Sequence, residues 1–520
     1  MPDPAGALIR QAAHSGVASL FVAQARLHPD RIAVVDGARA VSYGALDQRA
    51  RRLANVLHAR GVGAGDRVAL LAENRLEIFE VFLAAARLGA IVACQNWRLA
   101  VPELGHCLDL VQPAATVVSP RHAPALAAAA GAAADDCLLL GEGYERLLAE
   151  ASADQTPAPV DPEAPLLILY TSGTTGLPKG AVLSHRAQIV RNLVTRAEFG
   201  LAPDDTFVAW SPLYHMGAVD NSIGTLISGG KVITLAGFDP ERLADLIARE
   251  ALGWLLLMPG MVGRLAEVLA VRARAGQSPR GVKVCGVMAD LVPPSEISAI
   301  TKLLAAPYAN TFGSTETGCP PCSSSLIPVG VAPTQLAKRQ SPFCEVRLVD
   351  PDDRDVPDGS PGELAMRGPT LFSGYWNLPE VNQRDFRGGW FHMGDVFVRH
   401  PDGSLDFVDR VKYLIKSGGE SIYPAEIERV MLQDPRVAEV AVVRGKDPRW
   451  GEVPIAFVAR RDLSLDEGAL SALCRAQLGG YKQPKGIYFI PFDAFPRSAS
   501  GKVLRHELEA RVPGASLGPG

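Results

Sequence analysis

Short apolar runs alternate with amphipathic stretches over residues 17–110, and this alternation predicts strands that are followed by helices. The segment VSYGALDQRARRLANVLHARGV, residues 41–62, predicts the end of a strand, a helix cap at Ser42 and an amphipathic helix. The next segment, RVALLAENRLEIFEVFLAAARLGAIVACQN, residues 67–96, repeats strand, helix and strand. This order is typical of a parallel sheet that is covered by helices.

The alternation resumes after residue 183, where the apolar runs FVAWSPL, KVITLAG and WLLLMP predict strands of a second doubly wound unit. From about residue 342 to residue 409 the runs are short and separated by turns such as DPDDRDVPDG, which predicts an antiparallel β region. The remaining residues have a β-α-β-β-α pattern. The predicted fold is therefore α/β: a large N-terminal domain of two doubly wound β/α units plus a distorted β-barrel, followed by a small α+β C-terminal domain.

Composition and charge restrict the classes of function. A chain of 520 residues is too long for one core, and its 48% apolar and 21% charged content is typical of a globular protein. A net charge of -4 argues against a general nucleic-acid binder. No apolar run approaches the ~20 residues of a bilayer span, no secretory signal pattern is present, and the cysteines are scattered. We therefore expect a cytoplasmic protein that binds small molecules. The C-x-x-C pair Cys319 and Cys322 is interpreted as a coincidence.

The strongest local signal is YTSGTTGLPKGA, residues 170–181, which follows an apolar run that predicts a buried strand. Glycines let a backbone approach a ligand closely, while hydroxyl side chains and a lysine supply donors and positive charge. This combination is suited to binding a polyphosphate. The spacing differs from the Walker A pattern and from the dinucleotide pattern G-x-G-x-x-G.

This stretch resembles the signature phosphate loop of the adenylate-forming superfamily, which includes acyl-CoA synthetases, adenylation domains of peptide synthetases and firefly luciferase. Further segments resemble other motifs of the superfamily, in the same order along nearly the whole chain. They are NTFGSTETG (310–318), GELAMRGPTLFSGYWN (362–377), GWFHMGDVFVRHPDG (389–403), DRVKYLIKSGGESIYPAEIE (409–428) and PRSASGKVLRHEL (496–508). The resemblance implies an AMP-forming acyl-CoA synthetase that uses ATP, Mg2+ and coenzyme A.

The resemblance also implies which residues bind the nucleotide. The expected phosphate-binding residues are Thr171, Ser172, Gly173, Thr174, Thr175, Gly176 and Lys179. The expected adenine-side residues are Ala289, Asn310, Thr311, Phe312, Gly313 and Thr315, with Phe312 in place of the usual tyrosine. Glu316 would hold Mg2+, Asp395 the ribose hydroxyls and Arg410 the ribose or a phosphate. Outside these motifs, Glu316 would be an ordinary loop acid and Asp395 a turn residue.

Three positions affect which carboxylic acid the protein is expected to bind. In the superfamily, the position of His215, in SPLYHMGA, lies at the entrance of the pocket that binds the substrate carboxylate. A structural histidine held by hydrogen bonds is an equal alternative for this residue. Val287 and Met288 replace two usual glycines, and their side chains would narrow an acyl tunnel. We therefore expect an aromatic, cyclic or medium-chain acid, with long-chain fatty acids as an alternative.

The resemblance places a hinge at residues 410–412, with Lys412 as the pivot between an N-terminal domain, 1–409, and a mobile C-terminal domain, 413–520. Gly418 and Gly419 would form a bare ribbon beside the pantetheine arm of coenzyme A. The residues expected to line the coenzyme A site are Trp450, Tyr481 and Lys485. Lys502 would bridge the acyl carboxylate and the α-phosphate, and the resemblance implies that it is catalytic together with Glu316, Thr171 and His215.

Two other functions remain as alternatives. A stand-alone adenylating enzyme could load a carrier protein, although Trp450 and Lys485 favour free coenzyme A. A non-catalytic nucleotide or acyl binder would not require Lys502. The sequence leaves the oligomeric state open, a homodimer included.

Overall fold

The computed structural model describes residues 11–12, 14–131, 136–154, 160–172, 177–418, 420–497 and 503–512. They divide into two compact units. The first unit comprises the described residues up to Glu345 together with Arg367–Asp385, and the second comprises Val346–Met366 and those from Phe386 onward. The predicted domain boundary at residues 410–412 stays a prediction.

The helices of the first unit surround two mainly parallel sheets. They are Val17–Leu27, Tyr43–Ala59, Glu77–Leu88, Val101–Val111, Ala123–Ala130, Glu142–Glu150, His185–Phe199, Met216–Ser228, Pro240–Arg249, Val262–Arg274, Pro294–Leu304 and Pro379–Asp385. Serine caps begin two of them: the Ser42 hydroxyl accepts from the Ala45 N–H, as predicted, and the Ser184 hydroxyl accepts from the Ala187 N–H.

The larger sheet has eight strands. Their order across the sheet is Leu326–Ile327, Tyr308–Ala309, Val282–Cys285, Leu252–Leu255, Thr206–Ala209, Lys231–Thr234, Ile32–Asp36 and Arg39–Ser42. The two edge strands are antiparallel to their neighbours and the inner pairs are parallel. The strand Thr206–Ala209 is buried throughout, as expected where helices cover both faces.

The smaller sheet has six strands. Their order is Leu138–Leu139, Ala115–Val118, Arg67–Leu71, Ile91–Cys94, Pro165–Ser172 and Pro178–Ser184. Only the last pair is antiparallel. The first strands of the chain do not join this sheet, although they are nearest to it in sequence. Val34 instead pairs with Val232 in the larger sheet.

The second unit contains a four-stranded sheet in the order Glu345–Val349, Pro361–Arg367, Phe391–Arg399 and Leu405–Arg410. Its order does not close into a barrel within the described residues. A five-stranded sheet follows, formed by Glu420–Ile422, Ile415–Ser417, Gly451–Arg460, Val437–Asp447 and Gly486–Phe489. The helices of this unit are Pro424–Met431, Glu467–Gln477 and Arg505–Glu509.

Separate apolar clusters cover the two faces of the five-stranded sheet. One contains Ile427 and Leu470 from the first two helices of the unit, and the other contains Leu508 from the third. No helix of the described residues combines the length and apolar character that a bilayer span requires.

Candidate active site

Three of the expected phosphate-binding residues, Thr171, Ser172 and Lys179, lie on two antiparallel strands at the edge of the six-stranded sheet. Thr171 pairs with Lys179 and Ser172 pairs with Pro178, so the two strands run together up to the loop. The strand is anchored by a buried run from Leu166 to Leu169, as the sequence predicts. The residues 173–176, which include Gly173, Thr174, Thr175 and Gly176, lie outside the described residues, as does the side chain of Ser172. Their roles stay predictions.

Lys179 and Glu316 both contact Tyr375. The Lys179 ammonium lies 3.7 Å from the centre of the Tyr375 ring, and the Tyr375 hydroxyl donates to Oε1 of Glu316 at 2.8 Å. Burial of Tyr375, followed by the charge of Glu316, raises the pKa of this phenol, so it remains a neutral donor. A cation, a ring and a carboxylate from three separate segments therefore meet beside the phosphate strand.

The backbone of Tyr375 is fixed from two sides. Its N–H donates to Oδ1 of Asn382 at 2.7 Å, and Nδ2 of Asn382 donates back to its carbonyl oxygen at 2.9 Å. The following residue, Trp376, donates its N–H to the carbonyl oxygen of Gly180 at 2.8 Å. The segment that carries Tyr375 is thus attached to the strand that carries Lys179. The sequence offered no signal for Tyr375 within its motif, because its role depends on contacts with two distant segments.

Glu316 lies in a tight turn between the short strands Phe312–Ser314 and Gly318–Cys322. The hydroxyl of Ser314 accepts the Glu316 N–H at 3.2 Å, and the Glu316 carbonyl oxygen accepts from the Phe372 N–H at 2.8 Å. At Gly313 an added Cβ would lie 2.0 Å from the carbonyl oxygen of Gly318. Only glycine therefore permits this approach of the two strands.

Arg191 supports the same turn from the helix His185–Phe199. Its side chain is only 2% exposed. Its Nη2 donates to the carbonyl oxygen of Thr315 at 3.0 Å, its Nε donates to Thr370 at 2.9 Å, and its Nη1 pairs with Asp220 at 3.1 Å. Burial raises the pKa of Asp220, and the charge of Arg191 partly offsets this rise. Sequence reasoning missed Arg191, since a helical arginine is usually a surface residue.

The expected adenine-side residues are mostly enclosed. Ala289, Asn310 and Thr311 are buried, and Phe312 is half-buried. Nδ2 of Asn310 donates to the carbonyl oxygen of Leu336 at 2.9 Å, which fixes the amide.

The two residues that replace the usual glycines take different environments. Val287 is buried, and its carbonyl oxygen accepts from the Tyr308 hydroxyl at 3.0 Å. Met288 is half-buried and has a φ of 46°, in the left-handed region that favours glycine. The backbone of Met288 thus adopts a conformation that a glycine at this position would adopt more readily.

His215 lies at the N-terminus of the helix Met216–Ser228 and is half-buried. Its ring centre is 4.5 Å from that of Tyr214, which in turn meets Trp97 edge-on at 5.9 Å. Asn74 holds the preceding loop, because its Nδ2 donates to Ser211 at 2.8 Å and its Oδ1 accepts from the Leu213 N–H at 2.9 Å. The predicted role of His215 at the carboxylate pocket stays a prediction.

In the second unit, Asp395 and Arg410 are cross-strand neighbours, and the Arg410 Nε lies 3.1 Å from Oδ1 of Asp395. The Asp395 side chain is buried whereas that of Arg410 is partly exposed. The pair thus presents a fixed carboxylate whose negative charge is partly balanced. Lys412 follows in a short helical turn, and its ammonium lies 5.0 Å from the Tyr413 ring.

The expected coenzyme A residues of the second unit include one close contact. The Gly418 N–H donates to the carbonyl oxygen of Trp450 at 2.8 Å, and an added Cβ at Gly418 would lie 2.6 Å from the Trp450 ring. Tyr481 and Lys485 are exposed on the same unit. Gly419 and Lys502 lie outside the described residues, so their roles stay predictions.

Residues 21–376 match the sequence pattern of the family described as AMP-binding enzyme, and residues 426–502 match its C-terminal domain. The chain belongs to the AMP-binding enzyme family.

Relatives of this AMP-binding enzyme align over nearly its whole length. A feruloyl-CoA synthase from an Amycolatopsis species is 36% identical over 96% of this chain and 99% of its own length. An indoleacetate–CoA ligase from Aromatoleum aromaticum is 35% identical over 94% of this chain and 96% of its own length. Among solved structures, the o-succinylbenzoate CoA synthetase of Bacillus subtilis, in complex with its acyl-adenylate intermediate, superposes with a TM-score of 0.82. It is 25% identical and covers 94% of this chain and 97% of its own.

These comparisons confirm the predicted superfamily, the predicted class of AMP-forming acyl-CoA synthetase and the predicted fold class. The roles of individual site residues stay predictions. The domain boundaries likewise stay predictions.

The residues of this AMP-binding enzyme fit a magnesium ion that is shared with a polyphosphate. No cluster of three or more His, Cys, Asp or Glu side chains able to enclose a metal is found in the part of the chain that the structure describes. Mg2+ is commonly bound by one or two carboxylates together with phosphate oxygens. The half-buried Glu316, whose carboxylate is oriented by Tyr375, provides such a single carboxylate.

Proposed function

We infer that this AMP-binding enzyme is an ATP-dependent acid:CoA ligase whose substrate is an aromatic carboxylic acid. It would first form an acyl-adenylate and pyrophosphate, and then transfer the acyl group to coenzyme A with release of AMP. The observation that carries the proposal is the meeting of Lys179 and Glu316 at Tyr375, beside the phosphate strand. A positive charge and a carboxylate suited to Mg2+ are the two groups that a bound polyphosphate requires.

The first step joins two anions. A carboxylate oxygen of the acid attacks the α-phosphorus, a new oxygen–phosphorus bond forms, and the bond to pyrophosphate breaks. No general base is needed, because a carboxylic acid is already ionised at neutral pH. The main catalytic task is therefore to stabilise negative charge on the phosphate oxygens in the transition state.

Residues of this chain would supply that stabilisation. Lys179 would bind phosphate oxygens, and Thr171 lies opposite it on the neighbouring strand. Mg2+, when bound at Glu316, would screen phosphate charge. Lys502 would add a second cation at the α-phosphate, as the resemblance implies.

The second step forms a thioester. The coenzyme A sulfur attacks the acyl carbonyl carbon, and AMP leaves with the bonding electrons of the carbon–oxygen bond. The bare backbone at Gly418 and the ring of Trp450 would border the pantetheine arm. Because the two steps require different groups, we include in the proposal a rotation of the C-terminal domain about Lys412 between them.

Two observations support an aromatic acid. The relatives named for feruloyl-CoA and indoleacetate both act on acids that contain an aromatic ring. In this chain, the buried Val287 and the half-buried Met288 carry side chains at the positions of the two usual glycines, and this added bulk disfavours a long straight alkyl chain.

The test is an adenylation assay with hydroxylamine trapping and a pyrophosphate readout, performed with aryl, cyclic, medium-chain and long-chain acids. Each acid is assayed with and without coenzyme A, and thioester formation is followed by mass spectrometry. We expect hydroxamate formation with aryl acids and thioester only in the presence of coenzyme A. Adenylation without thioester would indicate a carrier-protein acceptor, and preference for long-chain acids would contradict the proposed substrate class.

A further inference from the structure

We propose that Tyr375 is a positioning residue that orients the Glu316 carboxylate toward bound Mg2+ and prevents Lys179 from pairing with that carboxylate. This inference rests on the proposed function, because it assigns to both charged groups a shared polyphosphate ligand. The tyrosine contacts both groups: its ring face lies against the ammonium and its hydroxyl donates to the carboxylate.

A lysine and a glutamate that approach one another in a partly enclosed site attract each other strongly, because the local dielectric constant is low. A direct ion pair would use the donors of Lys179 and the acceptors of Glu316, and neither group would then be available to the ligand. Tyr375 offers each group a weaker neutral contact in place of that ion pair. The ring face attracts an ammonium without accepting a hydrogen bond at a discrete lone pair, and the hydroxyl occupies one lone pair of Oε1.

For this role the side chain of Tyr375 must be held in a fixed position. Tyr375 is 6% exposed, and Phe372 packs edge-on against its ring with the centres 4.9 Å apart. The paired hydrogen bonds with Asn382 fix its backbone. An isolated bridge to Ala181 connects it to the strand that carries Lys179. The ring therefore has little freedom to turn away from either partner.

A Tyr375→Phe variant separates this positioning role from a role in packing alone. Phenylalanine keeps the ring, its contact with Lys179 and its packing against Phe372, and removes only the hydroxyl that donates to Glu316. A purely structural tyrosine would lose stability in this variant without any change in the dependence of nucleotide binding on Mg2+.

The chain contains a matched control. Tyr144 is also a buried tyrosine whose hydroxyl donates to a carboxylate, that of Glu80, but it lies on the helix Glu142–Glu150. Tyr144→Phe therefore removes the same type of hydrogen bond from a buried tyrosine outside the proposed site.

The experiment measures equilibrium binding of ATP by the full chain over a titration of Mg2+, by calorimetry and without any acid substrate. We expect Tyr375→Phe to raise the Mg2+ concentration for half-maximal ATP binding by about tenfold, as for the loss of one hydrogen bond to a charged group. Tyr144→Phe should leave this concentration unchanged. Thermal unfolding of both variants reports the loss of stability that they share.

A second variant, Tyr375→Leu, removes the ring. We expect it to weaken ATP binding at saturating Mg2+ by about a further tenfold relative to Tyr375→Phe, because Lys179 would then pair with Glu316. Equal Mg2+ midpoints for Tyr375→Phe and the wild type would overturn the inference while leaving the proposed function intact. A wild-type protein that does not bind ATP would overturn both.

Discussion

Arg191 and Thr315 are joined by a hydrogen bond of 3.0 Å between a buried guanidinium and a carbonyl oxygen that immediately precedes Glu316. The same guanidinium reaches Thr370 and Asp220, so it connects the helix His185–Phe199 to two segments of the site. The position of Glu316 thus depends on a residue that has no part in the chemistry.

Replacing Arg191 by methionine should destabilise the protein by about 3–5 kcal/mol, because the buried carboxylate of Asp220 loses its charged partner. Urea unfolding measures this loss. The double variant Arg191→Met with Asp220→Asn should recover part of the stability. As a control, Arg436→Met breaks a solvent-accessible pair with Asp434 and should cost far less stability. Equal losses for the two single arginine variants would contradict this prediction.

Gly313→Ala should disturb the turn that carries Glu316, because the new Cβ would lie 2.0 Å from the carbonyl oxygen of Gly318. We expect a loss of about 1–3 kcal/mol of stability together with weaker Mg2+-dependent ATP binding. Gly143→Ala is the control: it lies in the helix Glu142–Glu150, nothing is within 4 Å of its Cβ position, and the change should be neutral or slightly stabilising. Similar behaviour of the two alanine variants would be evidence against a close approach at Gly313.

Stability should decrease in mild acid because of His185. Burial lowers the pKa of His185 from 6.5 to about 4, and its Nδ1 accepts the Val17 N–H at 3.1 Å. The folded state therefore holds the neutral ring, while the unfolded chain binds a proton below pH 6.5. The contribution of this histidine is fully present above pH 6.5 and is lost as the pH falls toward 4, by about 1.4 kcal/mol per pH unit.

The measurement compares the free energy of unfolding at pH 7.5 and pH 5 in the wild type and in His185→Asn, which keeps an acceptor for Val17. The wild type should lose about 2 kcal/mol more than the variant over this interval. Parallel losses in the two proteins would assign the acid sensitivity to other groups.

Lys502→Ala should reduce adenylation by about 10² to 10³-fold, by analogy with the loss of one preorganised donor to transition-state charge. Thioester formation from supplied acyl-adenylate should largely survive. The two half-reactions are assayed separately, with Lys446→Ala, a lysine in the strand Val437–Asp447, as the control. An equal decrease in both half-reactions would remove Lys502 from the role assigned to it.

The fold class could be predicted because each helix and strand carries its own pattern. The buried run Leu166 to Leu169 and the serine caps are local signals, and the structure contains both. The sequence does not predict which strands join which sheet. Residues 32–42 precede the six-stranded sheet but pair in the eight-stranded one, because register with Lys231–Thr234 is decided by packing between distant segments.

The site shows the same division. Thr171, Lys179 and Glu316 stand in recognisable motifs, since their chemistry requires particular residue types at particular spacing. Tyr375 and Arg191 act through contacts with segments far away in sequence, and a lone tyrosine or arginine carries no spacing that reveals them. Sequence patterns thus reveal the residues that would contact the ligand, but not the residues that hold these ligand-binding residues in position.

The pairing of Val34 with Val232 also has a consequence for biosynthesis. The entire six-stranded sheet, residues 67–184, is made between the two partners, so the first strand leaves the ribosome long before its neighbour exists. Until then the strand is paired only with Arg39–Ser42, and its other edge has no native partner; open strand edges are prone to aggregation. Non-local pairing of this type is also slow, because a long loop must close before the contact forms. The N-terminal hairpin therefore completes its pairing only after the strand Lys231–Thr234 has been made. We expect the nascent chain to need chaperones most during this interval.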